Sequence, residues 1–239
     1  MFDSDLEISL FGVMRLVKKY DLEHLRSTLA SRVEAQWPQS LVEWSVYKDY
    51  TKRLAAHLLL SDARILEPAA AIRLATDHDI PRILPAAFYA LSCLNIDDDW
   101  ETRKDRLKRT GRLLLPSARW HLLTQSDHSR LRRGERELNK AGRDYFKKLS
   151  TGTLCTIPNC HMQFRDTVGS AVEAIFAAQE RRDMLEVLDI HMKAESWKTL
   201  CTLCRSKIQK QARDTRENIW QRLPEFFGLG DIPGCELFM

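Results

Sequence analysis

The chain has 239 residues, of which 44% are hydrophobic and 29% are charged, and its formal net charge is +4 at pH 7. This composition supplies a hydrophobic core with a charged surface and excludes a largely disordered chain. The charge is modest for the length and lacks the dense basic stripe of a dedicated DNA-binding domain, so it permits weak association with nucleic acid or acidic partners without requiring it.

Helical periodicity dominates the first hundred residues. An amphipathic helix is predicted over residues 5–19, followed by a second helix with Asp21 as its N-cap. Pro38 ends the second helix, and Ser40 caps a short helix that contains residues 41–47. Another helix is predicted over residues 51–65, and two more begin near Pro68 and Pro81. The predicted apolar faces are Leu6, Leu10, Val13, Val17 and Tyr20 in the first helix, and Leu22, Leu25, Leu29 and Val33 in the second.

The second half of the chain continues in the same pattern. Residues 96–114 are acidic and then basic without an apolar stripe, which predicts an exposed insertion. Helices follow over residues 126–150, with Ser126 or Asp127 as cap, and over residues 166–183. A final helix begins at the second cysteine pair and ends at Pro224.

These patterns predict an all-α fold. No segment alternates with period two for long enough to form a convincing strand, and no repeat of fixed length occurs. We expect two packed helical layers. The predicted domains are a helical region at residues 1–95, a charged exposed connector at 96–115, and a C-terminal helical domain at 116–239.

Two stretches bear on the location of the protein. The first twenty residues are acidic before they are apolar, which is the wrong polarity for a secretory signal. The longest weakly charged run, residues 83–96, is too short to span a membrane and contains Pro85. We therefore expect a soluble protein of the cytoplasm or the nucleus. Reducing conditions there favour metal ligands or free thiols over disulfides for the six cysteines.

Four of the cysteines form two close pairs with the pattern Cys-x4-Cys-x40-Cys-x2-Cys. Tetrahedral zinc is usually bound by two such pairs from separate segments. Cys201 and Cys204 have the spacing that lets both sulfurs face one ion, and Pro158 allows the wider pair a turn. The pattern predicts a structural zinc site, with the ligands Cys155, Cys160, Cys201 and Cys204.

Simple packing is the alternative for these cysteines, because cysteine is among the most buried residue types. Cys93 lies in an apolar segment and fits that role, while Cys235 has no neighbouring donor in the sequence. Beside Cys160, His161 offers a replacement ligand. His191 is a weaker substitute and is expected at the surface. Metal binding and packing both remain open from the sequence.

Other motifs give weaker signals. The basic segments 103–112 and 130–136 are interleaved with acidic residues and lack accompanying aromatic residues, which is typical of a solvated helix face. The three aspartates at 97–99 are better explained as an acidic turn that caps a helix than as a Mg²⁺ site. No nucleophile elbow, metalloprotease helix or phosphate-binding loop occurs, so we do not expect an enzyme. The tryptophans, including Trp37, Trp44, Trp120, Trp197 and Trp220, are predicted to anchor the core.

Four phrases of the sequence resemble the region that follows the BTB/POZ fold in a group of fungal, mushroom-type BTB-domain proteins. The first, "FGVMRLVKKYDLEHLRSTLASRVEAQWPQSLVEW", is similar to the closing helix pair of a BTB domain and the short helix beyond it. The others are "AIRLATDHDIPRILPAAFYALS", "LRRGERELNKA", and "WKTLCTLCRSK" with "IWQRLPEFFGL". They span most of the chain in the expected order. The chain departs from the group in starting where the strand-rich BTB core would end.

The resemblance implies a non-enzymatic interaction or scaffold protein that contacts protein partners through helix faces. The composition and motifs predict no membrane association and no small-molecule substrate, and they favour a protein over a nucleic acid as the partner. The missing BTB core carries most of the dimerisation surface, so dimerisation is not implied. The chain would be a truncated gene product or a diverged member that kept the helical extension. The alternative is a zinc-stabilised nucleic-acid-binding or transcriptional module that uses Arg103–Arg112 and Arg130–Arg136.

Overall fold

The fold is given by a computed structural model of the chain, which describes residues 6–57, 65–102, 116–150, 155, 157, 160, 183–193, 197–198 and 200–235. These residues are all-α, as the sequence predicted. They contain no β-strand, and the isolated bridge between Asp99 and Ala118 is the one extended pairing among them. Within the same residues, no helix is both long and apolar enough to cross a bilayer.

Nine α-helices have bounds assigned within the described residues. They are α1 (Leu6–Lys19), α2 (Glu23–Glu34), α3 (Leu41–His57), α4 (Pro68–His78), α5 (Leu84–Ser92), α6 (Gln125–Ser150), α7 (Met184–Lys193), α8 (Thr202–Gln221) and α9 (Leu223–Phe226). Single 3₁₀ turns occupy Pro81–Ile83 and Trp120–Leu122.

The chain divides into two compact units. Unit 1 comprises Met1–Gly134 together with Leu223–Met239, and unit 2 comprises Glu135–Arg222. The end of the chain therefore belongs to the same unit as its beginning. The domain bounds drawn from the sequence stay a prediction, because most of the charged connector, residues 103–115, lies outside the described residues.

The core of unit 1 is built on α4 and α5, which pack against each other. The three alanines at 69–71 on α4 are fully buried. On α5, Phe88 stacks on Phe227 from the end of the chain, with 5.5 Å between ring centroids. Tyr89 meets Trp44 of α3 edge-on at 5.1 Å. Aromatic pairs in these geometries add to the free energy of area burial, so they fix α3, α5 and the chain end to one core.

Most of the tryptophans named from the sequence are core anchors, as expected. The side chains exposed by 3% or less are Trp37, Trp44, Trp197 and Trp220. Trp120 is half-buried in the 3₁₀ turn before α6.

A buried carboxylate fixes the start of α4. Glu67 is 1% exposed and occupies the N-cap position, where its oxygens accept hydrogen bonds from the backbone N–H groups of Ala69 and Ala70. The same carboxylate accepts the backbone N–H of Arg119 at 2.8 Å. The Arg119 guanidinium lies 3.7 Å from Glu67 and over the ring of Trp100. One side chain thus joins segments fifty residues apart in sequence.

The predicted apolar faces of α1 and α2 are only partly correct. On α1 the buried stripe is Leu10, Met14 and Val17, at helical spacings of four and three, and α1 packs on α4. In α2, Val33 is fully buried. Four predicted core positions are instead 41–62% exposed: Val13, Tyr20, Leu22 and Leu25. The spacing of α1 allows two overlapping stripes, and the packing of α1 on α4 decides between them.

Helix starts differ from the sequence predictions at two positions. Asp21 adopts a left-handed φ of 52° and does not cap α2; Leu22 occupies the N-cap position without a side-chain cap. Before α6, Thr124 acts as the cap in place of Ser126 or Asp127. Its hydroxyl accepts the Asp127 N–H, and Asp127 accepts the Thr124 N–H, a reciprocal capping box.

The predicted helices at 41–47 and 51–65 are one continuous helix in the structure. The cap at Ser40 is confirmed, because its hydroxyl accepts the Glu43 N–H at 3.2 Å. The helix then runs without interruption to His57. No glycine or proline lies between residues 41 and 57, so no residue in this span breaks it.

Unit 2 is organised by α7 and α8, which pack against each other. Asp189 on α7 accepts from Arg216 on α8 at 3.1 Å and from Lys193 at 2.7 Å. The sequence did not predict α7. The helix predicted at 166–183 lies outside the described residues, except for Asp183. This buried residue precedes α7 and accepts the backbone N–H of Glu186.

Candidate metal centre

The four paired cysteines lie together in unit 2. The sulfurs of Cys155, Cys160, Cys201 and Cys204 are all within 4.8 Å of one another, and each residue is a free thiol. The sulfurs of Cys155 and Cys201 are 3.7 Å apart. Two pairs separated by forty residues therefore meet at one point, which is the arrangement of a metal-binding site.

The separation of the sulfurs distinguishes a metal site from a disulfide. A disulfide requires sulfurs about 2.05 Å apart, so the Cys155–Cys201 distance of 3.7 Å is too long for one. Zinc–thiolate bonds are about 2.3 Å long, which gives a tetrahedron with edges of about 3.8 Å between sulfurs. The Cys155–Cys201 distance matches that edge.

The start of α8 holds the second cysteine pair. Cys201 is the N-cap residue. Its backbone is extended, with φ −61° and ψ 157°, and its side chain makes no capping hydrogen bond. Cys204 follows in the first turn, three residues on, so both sulfurs project to the same side of the helix start. The Cys201 backbone N–H donates to the sulfur of buried Cys160 at 3.4 Å. Such a donor stabilises a thiolate and links the two pairs directly.

Four thiols so close together compete for ionisation. The backbone N–H of Cys204, followed by its thiol, lowers the pKa of Cys201 to about 7. Burial and the neighbouring thiols raise the pKa of Cys204. At Cys160 the Cys201 N–H acts to lower the pKa, but burial and the thiols of Cys201 and Cys155 outweigh it, so the pKa is raised. Charge is thus concentrated on Cys201, and a divalent cation among the sulfurs would allow the others to ionise as well.

Arg205 fixes the loop that leads into α8. Its guanidinium donates to the backbone carbonyls of Trp197 at 3.2 Å, Lys198 at 2.9 Å and Leu200 at 3.3 Å. These bonds hold the backbone immediately before Cys201. Sequence reasoning missed this role, and the one available signal was an arginine directly after the Cys-x2-Cys pair.

His191 lies elsewhere in unit 2 and is not one of the clustered ligands. The prediction that it lies at the surface is wrong, because it is 4% exposed. Its Nδ1 is 2.8 Å from the Tyr145 hydroxyl, its backbone carbonyl accepts the Trp197 indole N–H, and its ring meets those of Phe146 and Trp197 edge-on. Burial lowers the pKa of His191 to about 4. His161, the other imidazole considered as a ligand, lies outside the described residues.

The remaining cysteines lie apart from the cluster. Cys93, predicted to pack in the core, is half-buried. Cys235 is buried and donates to the Pro81 carbonyl at 3.3 Å, and burial raises its pKa to about 11. Among the residues that the structure describes, no other group of three or more cysteine, histidine or carboxylate side chains converges in this way.

The acidic segment noted from the sequence lies in turns, and one of the two basic segments lies on a helix. Asp98 accepts the Asn95 N–H at 2.9 Å, and Asp99 accepts the Thr102 N–H at 3.1 Å, so these aspartates cap turns. The basic segment 103–112 lies outside the described residues. Segment 130–136 lies on α6, where its exposed basic residues are Arg132, Arg133 and Arg136.

Three comparisons with known proteins were made, and none gives a match. No protein-family model, no curated protein and no solved structure is similar to the chain.

Proposed function

We propose that Cys155, Cys160, Cys201 and Cys204 bind one structural zinc ion. The observation that carries this proposal is the convergence of four sulfurs within 4.8 Å from two distant segments. Tetrahedral four-thiolate sites are typical of zinc. Four protein ligands fill the tetrahedron and leave no position for a water molecule, so the ion would stabilise the fold and take no part in catalysis.

Cobalt substitution tests the proposed coordination. Co²⁺ bound by four thiolates in a tetrahedron absorbs strongly in the visible and near-ultraviolet range, whereas octahedral aqueous Co²⁺ absorbs weakly. We expect the tetrahedral spectrum for the parent protein and for a Cys93→Ser control, and its loss for Cys155→Ser. An octahedral spectrum in the parent would contradict four-thiolate coordination.

We also propose that the chain is a non-enzymatic protein-interaction domain of the fungal BTB-protein type, acting in the cytoplasm or the nucleus. The all-α fold supports this proposal, and so do the apolar side chains that α1 and α2 expose to solvent. An exposed apolar surface of this kind is typical of an interaction site. The side chains concerned are 41–62% exposed: Val13, Leu16, Tyr20, Leu22 and Leu25.

Crosslinking in the cell tests the interaction proposal. Leu16→Lys combined with Tyr20→Lys places charge on the exposed face without altering the buried stripe of α1. We expect specific protein crosslinks in the parent and in a Val42→Lys control, and their loss in the double variant. Retention of every crosslink in the double variant would contradict the use of this face.

Salt dependence distinguishes a nucleic-acid-binding module from a protein-interaction domain. Binding through several phosphates falls steeply between low and moderate salt, because counterions are released. We expect no such binding to mixed-sequence DNA or RNA. Tight, steeply salt-dependent binding would overturn the interaction proposal in favour of the nucleic-acid module.

A further inference from the structure

A basic groove in unit 1 lies between α1 and α4, away from the cysteines in sequence. Its volume is about 780 Å³, within the range of about 300–1,000 Å³ that is usual for ligand pockets. The basic residues that line it are Arg15, Lys18, Lys19 and Arg73, with His78 beside them, and among the described residues Asp77 is the one carboxylate of the lining.

The positive charge of the groove comes from α1. Arg73 is already paired, with Asp77 at 2.5 Å and Asp127 at 3.7 Å. By contrast, none of the ion pairs among the described residues involves Arg15, Lys18 or Lys19. These three side chains are exposed, and they lie within about one helical turn of each other. The groove therefore presents three cations that lack a carboxylate partner in the described part of the chain.

His78 lines the groove together with Arg15 and Lys18. It is 8% exposed and closes the C-terminal end of α4. Burial lowers the pKa of His78; Asp77 opposes this effect, and the nearby charges of Lys18 and Arg15 add to it. The neutral form of this histidine is therefore favoured, and the positive charge of the groove comes from Arg15, Lys18 and Lys19 on α1.

The rest of the lining is apolar. Phe11 lies on the same face of α1 as Arg15 and Lys18, at helical spacings of four and three, and Leu122 comes from the 3₁₀ turn before α6. Both side chains are half-buried, so each still offers some apolar surface to a ligand. A ligand that fits the groove must combine negative charge with an apolar group.

We propose that this groove binds a short acidic peptide segment of a partner protein. Two or three Asp or Glu side chains of the segment would pair with Arg15, Lys18 and Lys19, while an apolar side chain rests on Phe11 and Leu122. Charge complementarity supports this assignment. Nucleic acid fits less well, because three cations within one helical turn make only a short phosphate track.

Fluorescence anisotropy on the full chain tests this proposal. The probe is a labelled peptide of alternating Glu and Leu, compared with the same peptide in which every Glu is Gln. We expect binding of the Glu peptide alone. Combining Arg15→Glu with Lys18→Glu should weaken it by about tenfold or more, because each substitution replaces an attraction by a repulsion.

The matched control combines Arg132→Glu with Arg136→Glu, which changes the net charge equally at exposed positions of α6. This control should bind within about twofold of the parent, since it removes only long-range attraction. Arg15→Gln with Lys18→Gln provides a milder second variant, which should weaken binding to an intermediate degree.

The proposal would be overturned by equal binding of the Gln peptide, by equal loss in the α6 control, or by no binding of the Glu peptide by the parent. Preferential binding of a single-stranded oligonucleotide through the same arginine and lysine would also overturn it, in favour of nucleic acid. The inference does not depend on the metal. Cys204→Ser is expected to retain peptide binding, so failure of the zinc proposal and failure of this one can be told apart.

Discussion

Arg205 is the residue that connects the proposed metal ligands to the rest of unit 2. It donates to three carbonyls in the segment 197–200, which leads directly to Cys201. A planar guanidinium can hold several carbonyls at once, and a lysine ammonium cannot reproduce that geometry. Metal sites depend on such supporting groups because these fix the orientation of the ligands before the ion binds.

Removal of this support should weaken metal binding without removing a ligand. We expect Arg205→Ala to lower zinc affinity by about 10–100-fold, in the range found for supporting residues of metal sites. Competition with a chromophoric chelator measures the affinity, and Arg213→Ala, an exposed position on the same helix, is the control. Equal affinities for the parent and Arg205→Ala would show that the loop is held in another way.

His191 is a second residue with a measurable consequence. Because burial lowers its pKa from 6.5 to about 4, the folded state does not take up the proton that the unfolded state binds below pH 6.5. Stability is therefore fully present above pH 6.5 and is lost as the pH falls toward 4.

The expected loss from this one group is about 2 kcal/mol between pH 7.5 and pH 5, at 1.36 kcal/mol for each pKa unit. Urea unfolding of the parent and of His191→Phe at both pH values measures it, because phenylalanine keeps the ring packing and cannot titrate. The variant should lose less stability than the parent. Parallel losses would assign the acid sensitivity to other groups.

At the scale of the element, α6 carries two buried glycines with different neighbours. A Cβ at Gly134 would lie 1.9 Å from Cε1 of Phe227, whose ring is stacked on Phe88 and cannot easily move. At Gly142 the nearest atom is the terminal methyl of Met184, at 2.4 Å. Methionine is flexible and can adopt another rotamer. An added methyl group at Gly142 can therefore be accommodated by the Met184 side chain, whereas one at Gly134 meets a packed aromatic ring.

Alanine substitution at these positions should separate overpacking from helix propensity. Gly134→Ala should destabilise the protein by about 1–3 kcal/mol, because overpacking exceeds the gain in propensity. Gly142→Ala should be close to neutral, since the two effects nearly cancel there. Thermal unfolding of both variants measures the difference, and a Gly134→Ala variant as stable as the parent would show that Phe227 can move.

The sequence predicted helix bounds and caps best where neighbouring residues alone determine them. The bounds of α1, the Ser40 cap and the start of α4 at Pro68 follow from periodicity, capping and proline geometry. The buried face of α1 did not follow, because overlapping stripes are separated only by the helix that packs on them. Asp127 was misplaced as a cap because a capping box puts its acidic residue three positions after the cap.

For the candidate site, the spacing of the cysteines predicted the four residues that cluster. Spacing could not supply their distance from each other, the N–H of Cys201 donated to Cys160, or the contacts of Arg205. His191 was predicted at the surface and is buried, because a segment that mixes apolar and charged residues does not by itself show which helix face is covered. These features depend on how distant segments pack.

At the scale of the whole molecule, the chain forms two compact units and the proposed metal lies in one of them. The four cysteines, α7 and α8 all belong to unit 2, whereas α4 and α5 form the core of unit 1. A structural ion stabilises the segments that it joins, since its binding free energy contributes to their folding.

Chelation should therefore act on one unit. On addition of a strong chelator, we expect hydrogen-exchange protection of α7 and α8 to fall, with that of α4 and α5 largely retained. Mass spectrometry of peptides from each unit measures the two responses separately. Equal loss in both units, or no change in either, would contradict a structural ion confined to unit 2.

The most direct test of the account is the metal content of the purified chain. Elemental analysis of protein prepared without chelator should give about one zinc per chain for the parent and for Cys93→Ser, since one four-ligand site holds one ion. The combination of Cys201→Ser with Cys204→Ser should give none, because two of the four ligands are lost. Absence of metal from the parent, or equal zinc in the parent and the double variant, would contradict the four-cysteine centre and make these residues packing cysteines.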